Sequence, residues 1–219
     1  MARVCRAQGS PSLESVASAR LQARDLDIWR GGRRLVRGLT FGLQAGQKAL
    51  IVGPNGSGKT SLLRIIAGLA PSTTGRITWD STPTYDLSPE ARADIVYCAH
   101  LDGLKKDLTI RENLDFYRRL RGGGQDLAAL LDALSLGGVI DRQVRYLSAG
   151  QRRRAGLATL LGADALLWIL DEPMTNLDAA GRTLVAGRIR AHLARGGLAV
   201  VATHQPEELS DAGTFLVEL

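Results

Sequence analysis

Cysteine is nearly absent: the 219 residues hold only Cys5 and Cys98, whose spacing makes no metal-ligand pair. That excludes a disulfide framework, and a lone bridge has little support in a cytosolic chain. Long hydrophobic runs are missing too. No stretch approaches the ~18 apolar residues of a membrane-spanning helix. The first twenty residues lack the continuous apolar core of a secretory leader. The expectation is a chain that stays in the cytosol and meets any membrane through a partner. Internal repeats, low-complexity blocks, long coiled coils and zinc-type inserts do not occur either, so no tandem or array architecture is expected.

What remains is ordinary globular composition, 45% hydrophobic, enough for one domain with a sizeable core. Net charge is +6, with arginine supplying almost all of the cations. Such a balance fits a solvated surface, or attraction to nucleotide phosphates, nucleic acid or a membrane face. Charge alone does not choose among these.

Residues 1–20, rich in Ser and Ala with a Gly-Ser-Pro break, read as a flexible tail. From Leu21 the pattern tightens. Leu21–Arg24, Leu39–Leu43 and Arg76–Trp79 alternate as half-buried antiparallel strands do, and Gly31-Gly32 supplies a turn. Lys48–Val52, Leu166–Leu170 and Leu198–Ala202 differ. They are short and apolar almost throughout, as strands buried on both faces of a parallel sheet are. Helical patterns at Ser61–Leu69 and Asp178–Leu193 alternate with them. The fold class is therefore α/β: a mostly parallel sheet with a small antiparallel subdomain. A helical insert is expected at about 101–161, broken at Gly122–Gly124 and Gly137-Gly138.

The chemistry lies in four stretches. Gly53-Pro54-Asn55-Gly56-Ser57-Gly58-Lys59-Thr60, followed by Ser61, fits G-x-x-x-x-G-K-[ST] between a buried strand and a helix. Its glycines let backbone N–H groups curl around phosphates, and the helix N-terminus adds partial positive charge. Lys59 is placed to neutralise β- and γ-phosphates, and Thr60 to ligand Mg²⁺. Asp171-Glu172 then puts two carboxylates at the end of a buried strand, where ligands gather in open α/β sheets. Asp171 suits Mg²⁺; Glu172 suits the polarisation of an attacking water. His204, after the third buried strand, is placed to bond a γ-phosphate and hold the attacking water; the competing reading is an ordinary loop histidine.

The fourth stretch, Leu147-Ser148-Ala149-Gly150-Gln151, opens a helix with Ser148 as a natural N-cap. Arg152-Arg153-Arg154 follow, and cations in a first turn oppose the helix dipole. A docked anion offsets that cost: Ser148, Gly150, Gln151 and the arginines together suit a γ-phosphate. The competing reading for Arg152 and Arg153 is a solvated or acid-facing cluster. Trp29, ahead of the phosphate loop, suits either adenine stacking or filling of a sheet face. Cys98-Ala99-His100 reads as a strand end entering a loop.

Taken together, Gly53–Thr60, Leu147–Gln151, Leu166–Glu172, Asp178 and His204 resemble the ATP-binding subunits of ABC transporters, over Leu21 to Leu219. Within them the chain looks most like the ATPases of cytochrome c maturation, also called haem-exporter ATP-binding subunits. His100–Lys105, Leu108-Thr109, Glu112–Leu114, the Leu167–Pro173 run and Thr203–Pro206 carry that likeness. The resemblance implies ATP and Mg²⁺ as cofactors and a second copy of the chain closing an ATP sandwich. It also implies integral membrane subunits as partners, no direct nucleic acid, and a peripheral location on the cytoplasmic face of the inner membrane. Ser148, Gly150, Gln151 and Asp178 join the nucleotide contacts on the same ground. His100 stands where the superfamily has a metal-touching glutamine, so it joins Thr60 and Asp171 as a metal position. No Cys-x-x-Cys-His haem-attachment motif occurs, so the chain itself need not touch haem. Two other readings stay open: an ABC ATPase for another cargo, and a soluble ABC ATPase acting on nucleic acid or ribosomes.

Overall fold

A computed structural model describes residues 7–8, 16, 18–99, 103–121, 127–211 and 213–219. The central sheet contains β4 (Lys48–Val52), β7 (Ile95–Cys98), β8 (Leu167–Asp171), β9 (Leu198–Ala202) and β10 (Thr214–Glu218). These five run parallel in the order β10-β4-β9-β8-β7. A two-residue strand, β1 (Ala7–Gln8), pairs antiparallel with β10 at the edge. A second, antiparallel sheet has the order β3-β2-β5-β6, with β2 at Leu21–Arg30, β3 at Arg33–Leu43, β5 at Thr74–Trp79 and β6 at Thr82–Pro83. The α/β expectation is met.

The apolar runs are continuous because the central strands are covered on both sides, and successive side chains enter different cores. Ala49, Ile51, Leu167, Ile169, Val200 and Ala202 pack with α1 (Lys59–Ile66) and the antiparallel sheet. Leu50, Trp168, Leu170, Ala199 and Val201 pack on the other face with the helices of the second half of the chain. In α1, Leu62, Leu63, Ile65 and Ile66 are buried, each contributing about 1.5–3 kcal/mol of transfer free energy.

The 101–161 region holds α3 (Ile110–Arg121), α4 (Leu127–Ala133) and α5 (Ala149–Leu161); α2 (Pro89–Ala93) precedes β7, and α6 (Ala179–Ala194) follows β8. Of the glycine breaks, Gly137 and Gly138 lie in a 3-10 turn, Gly137–Val139, while Gly122–Gly124 lie outside the described residues. Fully buried Asn113 on α3 pins the approach to this region. Its Oδ1 accepts from Lys105 N at 2.8 Å, and its Nδ2 donates to the carbonyls of Lys105 and Thr109.

Packing begins ahead of Leu21. Val16 and Ala19 are buried beside Gly42, Gln22 Nε2 donates to Ala19 O, and Arg20 pairs with Asp80 while lying over the Trp79 ring. The tail boundary drawn at residue 20 therefore falls inside packed structure, because these small and apolar residues cover the end of the antiparallel sheet. Among the described residues, no helix is long and apolar enough to cross a membrane.

His192 of α6 lies stacked on the Trp168 indole, centroids 4.0 Å apart. Its Nε2 is 3.1 Å from Leu198 O. The chain passes so close beneath the ring that a Cβ on Gly197 would sit 2.2 Å from it. Burial holds the His192 pKa below its usual 6.5, because charging the imidazole would cost its desolvation. The unfolded state then binds more protons, so stability is full above pH 6.5 and falls as pH drops through and below it. Thermal unfolding followed from pH 7.5 to about 5.5 should show a falling Tm. In His192→Gln the slope over this window should flatten.

Candidate functional site

The ends of three parallel strands build the site. After β4 the chain enters the loop Gly53–Gly58, then α1. Gly53 has φ +151°, and a Cβ there would meet Leu219 O at 2.7 Å and Ser57 Oγ at 2.8 Å, so only glycine fits. Side-chain caps close the first turns of α2 (Ser88), α3 (Thr109 with Glu112), α5 (Ser148) and α6 (Asp178). The start of α1 has none: Gly58 is its N-cap, and its first turn holds no acid. Its leading N–H groups are thus available to an anion. Lys59 is buried, and its ammonium donates to Gly53 O at 2.7 Å and Pro54 O at 3.3 Å, which holds it over the loop.

From the end of β8, Asp171 reaches the same place. The residue is only 2% exposed, and its Oδ2 accepts from Thr60 Oγ1 at 2.8 Å. Beside it on β7, burial and the Asp171 charge push the Tyr97 phenol up to about 12. Glu172 follows with φ +51°, left-handed and unusual for a residue with a Cβ. Its N–H donates to Ala202 O, the last residue of β9. Glu172 Oε1 lies 3.1 Å from His204 Nε2, close but without the alignment of a hydrogen bond. Thr203, buried, accepts from Gln205 N through its hydroxyl, which turns the loop so that His204 stands out half exposed.

A cleft of about 460 Å³ joins these groups; Asn55, Gly56, Gly58, Lys59, Thr60 and Ser61 line one wall, and Asp171, Glu172 and His204 another. Arg30, Leu35 and Thr175 complete the lining; sequence reasoning missed all three. Leu35 has no motif to announce it and arrives because β3 packs over Gly58. Trp29 does not line this cleft. It is 47% exposed on β2, near Arg34, so it does not fill a sheet face. His100 lies outside the described residues.

The Leu147–Gln151 element stands apart from the cleft. Ser148 is exposed and forms a reciprocal capping box: its Oγ accepts from Gln151 N at 3.1 Å, and Gln151 Oε1 accepts from Ser148 N at 3.0 Å. Gly150 faces Asn176, whose carbonyl oxygen would be 3.2 Å from a Cβ on Gly150. Asp178 caps α6 through Gly181 N. Arg182 ties this stretch to the loop after β9, donating to Leu177 O and pairing with Glu208.

Arg153 corrects the expectation that the arginines of this helix face a phosphate together. It is 4% exposed and turns inward, donating to Ala99 O at 3.1 Å, Asp171 O at 2.9 Å and Glu172 O at 2.7 Å. Consecutive helical residues point about 100° apart, so the three cannot share one target.

A phosphate loop on a parallel sheet, with paired carboxylates and a separately capped glycine-containing helix start, defines a phosphate-loop ATPase of the ABC type. Comparison with known proteins agrees. The ABC transporter family profile matches residues 36–175. The Cytochrome c biogenesis ATP-binding export protein CcmA of Paracoccus denitrificans is 46% identical over 200 residues, 89% of this chain and 90% of that one. The protein of the same name from Albidiferax ferrireducens is 42% identical over 193 residues, covering 87% and 92%. A solved ATP-binding subunit of an ABC transporter superposes with a TM-score of 0.82 over 92% of this chain and 86% of that one, at 22% identity. The chain belongs to the ABC transporter family and, within it, to the cytochrome c biogenesis ATP-binding export proteins.

Asn176, at φ +62°, occupies a conformation that asparagine tolerates better than other residues with a Cβ. Asn176→Gly should keep both Tm and ATPase rate. Asn176→Val should lose about 1–2 kcal/mol of stability and slow turnover, because the carbonyl facing Gly150 shifts. Thermal unfolding and a phosphate-release assay read the two effects.

Proposed function

We propose that this ATPase works as a pair of copies with two ATP molecules between them. In this reading the loop Gly53–Ser61 of one copy and Ser148, Gly150, Gln151 and Asp178 of the other grip each nucleotide. One observation carries the pairing: Ser148 is exposed and stands outside the cleft that its own Lys59, Asp171 and His204 line. Its free face suits a phosphate held by another chain.

The cleft's residues then have distinct tasks. The first-turn N–H groups of α1 and Lys59 hold the β- and γ-phosphates. Trp29, exposed on β2, is available to adenine. Mg²⁺ fits the donor set, since Thr60 Oγ1 and Asp171 Oδ2, 2.8 Å apart, are the hard oxygen donors it prefers; when bound it neutralises phosphate charge. His100 at the glutamine position belongs to the same proposal. Glu172 orients a water and accepts its proton as the water oxygen bonds to the γ-phosphorus and the bond to the bridging oxygen of ADP breaks. His204, beside Glu172, holds the water and the γ-phosphate in line.

The work of this cycle passes to integral membrane subunits at the cytoplasmic face of the inner membrane, where the chain is peripheral. The protein is the ATPase subunit of an export complex in c-type cytochrome biogenesis, with haem handling as the energised step. The 42–46% identity to export proteins of that pathway supports this. Tagged membrane proteins of cytochrome c maturation should co-purify the chain; its consistent loss from them, with stable capture by another exporter, would overturn the assignment.

Glu172→Gln should keep ATP binding, lower the hydrolysis rate by ~10²-fold or more and accumulate an ATP-bound dimer on size-exclusion chromatography. Ser148→Arg should leave nucleotide binding by the monomer intact yet block turnover. Normal turnover by the first variant would remove Glu172 from its role; normal turnover by the second would sink the shared site.

A further inference from the structure

Glu172 holds an uncommon backbone conformation, φ +51°. In this region a residue with a Cβ persists only when its surroundings fix it. Three backbone groups around its Cα are held. Its N–H donates to Ala202 O. The carbonyl before its own peptide nitrogen (Asp171 O) and the carbonyl after its Cα (Glu172 O) both accept from Nη2 of Arg153, at 2.9 and 2.7 Å. One nitrogen thus brackets Glu172 and opposes rotation about both its φ and ψ. The other terminal nitrogen, Nη1, donates to Ala99 O beyond the end of β7. The planar fork of arginine reaches these sites together; a lysine ammonium on a flexible stem does not.

Arg153 stands on α5, the helix that opens with the Ser148–Gln151 capping box. A shift or tilt of that helix is transmitted through the buried guanidinium to the backbone of Glu172. We infer that Arg153 is a positioning residue for hydrolysis, setting the aim of the Glu172 carboxylate according to how α5 is docked. This rests on the reading of Glu172 as the group that activates water. A nucleotide gripped by Ser148 of one copy therefore aligns Glu172 of that same copy, which serves the other ATP, so the two sites are linked through each chain's own Arg153.

The test uses the full chain in its membrane complex, with MgATP as substrate and the variants Arg153→Lys, Glu172→Gln and their double. Arg153→Lys keeps the charge, but its ammonium ends one bond short of the Nη2 position and cannot hold Asp171 O, Glu172 O and Ala99 O together. Its kcat should fall about 10-fold, the size expected for a slightly misaligned catalytic group, with KM for ATP within about 2-fold. On the Glu172→Gln background the same change should add no further loss, because the group it aims is gone. Arg153→Gln should lower kcat further; if it fails to fold, the lysine variant decides. A wild-type kcat in Arg153→Lys, or losses that multiply in the double variant, would overturn the inference and indicate a packing role alone. Wild-type turnover in Glu172→Gln by itself would instead fail the underlying reading of Glu172, and the inference with it.

Discussion

The parallel register of β4, β9 and β8 is the constraint on which everything else in the molecule depends. Leu50 lies beside Val201, and Val201 beside Leu170, so the three strands end on one rim. The loops that leave these strand ends are then delivered to the same few ångströms. Thr60 and Asp171, 111 residues apart in the chain, meet at 2.8 Å, and Glu172 meets His204. Alternation alone sets this register weakly, because both faces of the strands are apolar and a one-residue slip exposes nothing. Size supplies the difference. Trp168 must face the side on which His192 lies stacked, while Leu167 and Ile169 fit against the other core.

A second constraint is polar. Carbonyls at or just past the carboxyl ends of parallel strands have no next strand residue to satisfy them; here they lie wholly or partly buried, and acceptors left unbonded there are costly. Arg153 answers three of them from one helix. A buried cation bonded to carbonyls is an expensive device compared with an apolar plug. Its use here is therefore better explained by what it fixes, the left-handed Glu172, than by stability. Its neighbours Arg152 and Arg154 differ from it: they are only partly buried and close no strand end.

Much of this was legible in the sequence, for definite reasons. Lys48–Val52 and Leu198–Ala202 read as doubly buried strands because no polar face interrupts them, and the third run shifts only by one residue, to Leu167–Asp171. The phosphate loop was legible because its glycines answer a backbone need that few other sequences meet. The antiparallel sheet followed from alternation and from the turn at Gly31-Gly32. β10 and α2 were not delineated, and of β7 only its end at Cys98 was read: these elements are four or five residues long, too short for a period to register. Arg30 and Leu35 reach the cleft through the pairing of β2 with β3, a tertiary fact with no local mark. The direction of Arg153 was hidden for a simpler reason. Three identical residues in a row state a composition, and only helical phase relative to the core decides which one is inside.

The loops that face away from the cleft are tied to the ones that form it. Arg182 joins Leu177 O, beside Asn176 and Asp178, to Glu208 in the turn after His204. The Gly150 backbone rests against the Asn176 carbonyl, and Arg153 joins α5 to Glu172. The exposed end of α5 therefore reaches the Glu172–His204 pair by two routes, one through each side of the pair. A contact on Ser148 that shifted only one route would pull Glu172 and His204 out of mutual register. A contact that moves α5 and the Asn176–Asp178 stretch together keeps them aligned. In the proposed pairing, a whole second copy closes on both at once.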